Sequence, residues 1–219
     1  MKLAPALLLL PLGVAGLGLG AWALQRELPA YVQLGDGPDQ ALAALLDGPI
    51  ATPLSHAGQQ AVAVACYDAL GSTLAVLRPD DQRAALAENC ASSLAPILKL
   101  SPTDAFGWAA LAYVRSAQGD KAGANAALRQ AQVSGPNEQA VGVFRVQFAE
   151  THRDGLDEAT STGNDADLAM LVRSQRGIAA VAQRYLSQPD FRARLASIVG
   201  QLPPVDQKRF VSTLQRALQ

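Results

Sequence analysis

Residues 101–136 read SPTDAFGWAALAYVRSAQGDKAGANAALRQAQVSGP, and this stretch decides the fold. Ser101-Pro102-Thr103-Asp104 is a helix start. It supplies a hydroxyl cap, a proline whose missing N–H goes unnoticed in the first turn, and an acid three residues after the serine. The spacing predicts a helix ending near Gln118, a turn at Gly119-Asp120, and a return helix stopped at Ser134-Gly135-Pro136. Small Ala112 and Ala124 let two such helices approach closely. Trp108, Leu111 and Leu128 fill the wedge between them, and Ala131 leaves room for whatever packs next. The unit is an antiparallel helix hairpin.

The order Trp108-x2-Leu111-Ala112, Gly119, Ala124-x3-Leu128, Ala131, Pro136 resembles a tetratricopeptide repeat. Arg115 departs from the pattern, standing where an aromatic belongs. The resemblance implies hairpins stacked as a short α-solenoid, with the first helix of each pair lining a concave, peptide-binding face. Carried onto this chain, that candidate partner-binding face is Phe106, Ala109, Tyr113 and Ser116. A shift of about 34 residues, the repeat period, tests for an array. Backward, Cys90, Leu94 and Pro102 fall on Ala124, Leu128 and Pro136, but residues 78–81 form a turn where a helix belongs. Forward, Gly142, Arg145 and Thr162 fall on Trp108, Leu111 and Leu128, and the match is lost. The chain therefore holds one well-formed unit among diverged helices.

Working outward, the rest of the chain is helical in pattern too. Aromatics make up 5% of the 219 residues and the apolar side chains are mostly Ala, Leu and Val, with no sustained two-residue alternation. The expected class is all-α. Before the hairpin, helices are expected over residues 39–47, 55–77 and 80–100, the last interrupted at Pro96. After it they are expected over 138–152, 165–186, 189–200 and 204–218, with a polar loop at 154–164. The domain reading is 1–27 as an apolar leader, 28–54 as a linker with a short helix, and 55–219 as one tetratricopeptide-like helical domain.

The leader is a run of 22 uncharged residues, 3–24, behind a single Lys2. As a helix it spans roughly 33 Å, against about 30 Å for a bilayer core. Pro5 and Pro11 are tolerated in such a segment. Trp22, followed by Gln25, Arg26 and Glu27, reads as an interfacial anchor. Ala21-Trp22-Ala23 also fits a signal-peptidase site, so secretion to the periplasm after cleavage is the alternative. Both readings place the remaining chain outside the cytoplasm. The expected location is a bacterial inner membrane, single-pass, with the helical domain in the periplasm.

That compartment bears on the two cysteines. Cys66 and Cys90 each stand 12 residues from Arg78, the centre of an expected helix turn. Equal offsets in an antiparallel hairpin put them at one height, so a disulfide is the expected pairing in oxidising surroundings, with two buried thiols as the alternative.

Charge divides along the chain. Residues 34–170 hold 16 acids and 8 bases, while residues 171–219 hold 8 bases and two acids. The acidic middle and the basic tail suit each other, an anionic membrane surface or an acidic partner, and charges of this kind also serve simply as solvated helix faces. Nucleic acid is not an expected partner. No phosphate-loop, dinucleotide or nucleophile-elbow motif is present, and the acids at 154–167 do not fit a calcium loop. His56 and His152 are the only histidines, and neither stands near a second ligand in sequence. No cofactor, metal or small-molecule ligand is indicated. The expected role is a non-enzymatic interaction scaffold of the cell envelope with a protein partner. In layout it is similar to anchored repeat proteins accessory to envelope polysaccharide synthesis or export, and more loosely to cytochrome c maturation assembly factors. A diverged periplasmic enzyme is the rival; it requires a cleft holding an acid of raised pKa beside an aromatic wall.

Overall fold

The computed structural model describes residues 4–35 and 37–217, and of residues 4–10 and 217 the backbone alone. Residues 1–3, 36, 218 and 219, which fall within segments read above, lie outside the described residues. Among those described there are twelve α-helices, one 3-10 turn and no strand. The class is all-α. The chain divides into two compact units, Met1–Leu100 and Ser101–Gln219. The division falls inside the stretch 55–219 read from the sequence as one domain, and the helices before Leu100 pack on the N-terminal helix and the short helix behind it.

The first unit contains α1 (Ala4–Val32), α2 (Pro38–Asp47), α3 (His56–Gly71), α4 (Thr73–Val76) and α5 (Asp80–Leu100). Helix α3 is its centre and packs on α1, α2 and α5. Each boundary has a local cause. Pro38 occupies the first turn of α2. The Ser55 hydroxyl accepts from the Gly58 N–H and starts α3. The expected single helix over 55–77 breaks after Gly71, because the Ser72 hydroxyl accepts from the Ala75 N–H and opens α4. Pro96 lies inside α5, which runs on to Leu100. Cys66 and Cys90 are both fully buried, 5.6 Å apart at Cα, and joined as a disulfide between α3 and α5.

One carboxylate ties α1 to α3. Glu27 accepts from the backbone N–H groups of Leu54 (2.9 Å) and Ser55 (3.1 Å) and from the Ser55 hydroxyl. The Ser55 bonds, more than any other contact, hold its carboxyl below the usual carboxylate range. Upstream of this latch, every described side chain from Pro11 to Trp22 is exposed, including Leu12 at 68% and Leu17 at 78%.

The second unit contains α6 (Ala105–Ala117), α7 (Lys121–Ser134), α8 (Gln139–Thr151), a 3-10 turn (Arg153–Gly155), α9 (Glu158–Leu171), α10 (Gln175–Ser187), α11 (Pro189–Gly200) and α12 (Pro204–Ala217). Neighbours pair as α6 with α7, α8 with α9 and α10 with α11. First members stack on one another, α6 on α8 on α10 on α12, and second members likewise, α7 on α9 on α11. The hairpin turns at Gly119, whose φ of +76° is a left-handed conformation that glycine adopts without strain. Asp120 then caps α7 by accepting from the Gly123 N–H.

Four expectations change here. Helix α6 starts at Ala105, not at Pro102, because the Asp104 carboxylate accepts from the Gly107 N–H and outcompetes Ser101 as the cap. Trp108 is half-buried at the edge of the hairpin and donates its indole N–H to the Pro102 carbonyl at 2.9 Å. Leu111, Ala112, Ala124, Leu128 and Ala131 form the seam itself. The loop expected at 154–164 is helical from Glu158, capped by Asp157 accepting from the Thr160 N–H. The helix expected over 165–186 is broken after Leu171, where Ser174 caps a new start. A Cβ on Gly177 would collide with the Leu171 carbonyl, so glycine permits that close approach.

Candidate functional site

The face drawn from the repeat pattern comes first. Phe106 and Ala109 are buried, and Tyr113 and Ser116 are half-buried. The Phe106 ring meets Phe144 edge-on at 5.0 Å, and Tyr113 meets Phe148 edge-on at 4.9 Å. Helix α8 supplies both partners and covers that side of α6. Phe106 and Ala109 are thus core between consecutive hairpins, which corrects their placement on an open partner face. The sequence shows apolar residues on one side of α6 but not which helix lies over them.

The same stacking opens a groove one step further on, between α8 and α10. It has a volume of about 340 Å³. Val146 and Val181 form its buried floor, while Gln147, Gln183, Arg184 and Gln188 form its rim. Amide side chains present donors and acceptors together, the chemistry that grips an extended backbone without demanding a sequence. Arg184 donates to the Gln188 amide oxygen at 3.3 Å and sits 6.0 Å from the Phe191 ring centroid, so its cation is held at the rim. No protein-family model, curated protein or solved structure matches this chain. The groove must therefore be judged on its own chemistry.

Two ion-pair clusters, neither visible in the sequence, fix the helices that build it. Arg145 on α8 and Asp167 on α9 are 1% and 3% exposed. The guanidinium Nε and Nη2 donate to the two carboxylate oxygens at 2.7 and 2.6 Å, a bidentate pair. Its remaining Nη1 donates to the carbonyls of Ala131 (3.3 Å) and Gly135 (3.1 Å). One buried cation thus satisfies the open C-terminus of α7 and joins α7, α8 and α9. Burial pushes the Asp167 carboxyl up, and the Arg145 hydrogen bonds and charge hold it back. In the second cluster Arg194 on α11 pairs with Glu150 on α8 and with Asp165 on α9 at 2.6 Å. Burial raises Asp165 and lowers Arg194. Arg194 of the basic tail is therefore spent inside the fold. Arg209 joins it, pairing with Asp206 and donating to the Arg173 carbonyl at 2.6 Å.

The first unit has a groove of its own, about 530 Å³, walled by Ala30, Leu34, Ala61 and Ala65 with Tyr31 and Asp68 on its margin. Desolvation by those walls raises Asp68. This is the acid-and-aromatic arrangement that a hidden hydrolase requires, in part. Asp68 is exposed, and among the described residues no second carboxylate or histidine lines the groove to complete an acid–base pair. Among the described residues no group of three or more His, Cys, Asp or Glu side chains is placed to hold a metal ion.

Proposed function

We propose that this is a non-enzymatic interaction protein of the bacterial envelope. Residues 3–24 anchor it in the inner membrane, and its helical pairs, stacked as a short solenoid, stand in the periplasm. The observation that carries the reading is the first half of α1. From Pro11 to Trp22 it is apolar on every side, and all of its side chains are exposed. Such a surface needs an apolar medium around it. Among the described residues no helix is long and apolar enough to cross a membrane. The anchor therefore depends on the full run from residue 3, whose first side chains precede those described.

The Glu27 latch supports a retained anchor. It locks α1 to the start of α3 immediately after the apolar stretch, so α1 continues from the lipid-facing segment into the folded unit without a hinge. Cleavage after Ala23 would leave Glu27 close to a free end. The partner surface in this reading is the amide-rimmed α8–α10 groove, which suits an extended segment of a neighbouring envelope protein.

The test is alkaline carbonate extraction of membranes, with protease added outside spheroplasts. The proposal expects the full-length chain to stay in the pellet and its helical domain to be digested from outside. Release by carbonate at an intact mass overturns the anchor, and protection of the domain overturns the orientation. A photo-crosslinker at Gln183 gives the third arm. Discrete adducts support the groove, and their absence while a crosslinker at another surface position is captured overturns it.

A further inference from the structure

A second cavity, independent of the α8–α10 groove and of α1, lies where the two turns of the first hairpins meet. It measures about 220 Å³. Phe148 and Leu156 give it an apolar wall, and Lys121, His152 and Asp154 carry its polar groups. The wall is built and not incidental. The Asn125 side chain, 5% exposed, donates to the carbonyls of Lys121 and Gly155, each at 2.8 Å, and accepts from the Asp157 N–H at 3.0 Å. Both its donors and one lone pair of its oxygen go to pinning the start of α7 to the 3-10 turn. That sets the backbones of Lys121 and Asp154 at a fixed separation before any ligand arrives.

The polar groups are left over after folding. Among the described residues Lys121 and Asp154 have no ion-pair partner, although one is a cation and the other an anion on the same cavity. His152 is stacked on Phe148 with centroids 4.3 Å apart, and its Nδ1 lies 3.0 Å from the Phe148 carbonyl. That carbonyl can only accept, so Nδ1 donates to it and Nε2 is the ring's remaining polar atom. The cavity thus offers an ammonium, a carboxylate, an imidazole nitrogen and an aromatic wall. Its volume lies below the roughly 300–1,000 Å³ usual for drug-sized ligands, so its occupant is small.

We propose that this cavity binds a small zwitterion with an apolar side chain, a free amino acid or a dipeptide. Lys121 takes the carboxylate, Asp154 takes the ammonium, and the side chain lies against Leu156 and the His152 ring that covers Phe148. The assignment stands whether or not α1 is in a bilayer.

The test is calorimetric titration of the full chain in detergent with phenylalanine, leucine, N-acetylphenylalanine, phenylalaninamide and Phe-Ala. Saturable binding of the zwitterions is expected, with at least ten-fold weaker binding of the acetyl and amide forms. Comparison of phenylalanine with Phe-Ala identifies the source. Lys121→Met should abolish the preference for acid over amide, and Asp154→Asn the preference for free over acetylated amine. Each variant should leave the other preference intact. No saturable heat with any of the five compounds, or preferences unmoved by both variants, overturns the proposal. Both side chains are exposed and unpaired, so circular dichroism of the variants should match the parent.

Discussion

The Arg145–Asp167 pair gives the most demanding prediction. Asp167→Ala removes the counter-charge and leaves a guanidinium 1% exposed with only two carbonyl oxygens to bond. Breaking a buried pair from one side costs about 3–5 kcal/mol, because the stranded charge keeps its desolvation penalty. The double change Arg145→Met with Asp167→Leu removes both charges and fills similar volume, and should fall within about 1 kcal/mol of the parent. The assay is urea unfolding followed by fluorescence in a Trp22→Phe background, where Trp108 is the sole tryptophan and reports on the second unit alone. With an m-value of about 1–3 kcal/mol/M, the single variant should lose at least about 1 M in midpoint. A pH arm tests the cause. In Arg145→Met the Asp167 carboxyl keeps the upward push of burial and loses the group that opposed it. A raised native pKa means that the folded state binds the proton more tightly than the unfolded one. Stability therefore falls as pH rises from the unfolded carboxylate value, about 3.9, through the raised native value. The deficit of Arg145→Met should shrink on acidification from neutral pH. A loss below about 1 kcal/mol for Asp167→Ala would refute the reasoning, since that is the range of ordinary surface changes. So would a double variant as damaged as the single, because shape and not charge would then be the cause.

Three further outcomes follow from the described contacts. Trp108→Ala should cost about 2 kcal/mol in the same assay read by circular dichroism, less than the roughly 3–5 of a fully buried indole, because Trp108 is half-buried and gives up one hydrogen bond. The pair Cys66→Ala with Cys90→Ala should lower stability by about 3 kcal/mol, the chain-entropy value for a 24-residue separation; non-reducing peptide mapping of the parent should yield the linked peptide, and two free thiols would remove the basis of the figure. The lowered pKa of Glu27 contributes stability that is present above its unfolded value, about 4.3, and is lost as pH falls through the native one. The protection factors of the Leu54 and Ser55 amides, taken against intrinsic exchange at each pH, should therefore fall on acidification, and in Glu27→Gln they should be low at every pH.

The long apolar periodicities were legible in the sequence, and so were the sharp punctuation marks. Ser55, Asp120, Gly119, Pro38 and Pro189 act within three or four residues, so their effect is local and readable. The start of α9, residues 157–164, was not legible, and the reason is chemical. The buried face of α9 carries Thr160, Asn164 and Asp167 ahead of Leu168 and Leu171. Polar residues of low helix propensity occupy the positions where apolar ones would announce a helix. Their hydrogen-bond partners, Arg129 for Thr160, Glu150 for Asn164 and Arg145 for Asp167, come from α7 and α8. The clue available was Asp157-x2-Thr160 as a cap, outweighed by composition.

The sequence by itself determined an all-helical chain, an apolar leader, the first hairpin and its turn. Each follows from contacts between residues a few positions apart. The tertiary structure alone decided which faces stayed open. Helix α8 turned Phe106 and Ala109 into core, and the stacking of α10 on α8 made a groove from residues roughly 40 positions apart. Ion pairs spanning 22 to 44 residues absorbed Arg145 and Arg194, while Lys121 and Asp154 were left unpaired on one cavity. Such outcomes depend on which charges meet after the backbone has closed. No local spacing encodes that, because the energy of a charge is set by whatever the rest of the fold brings against it.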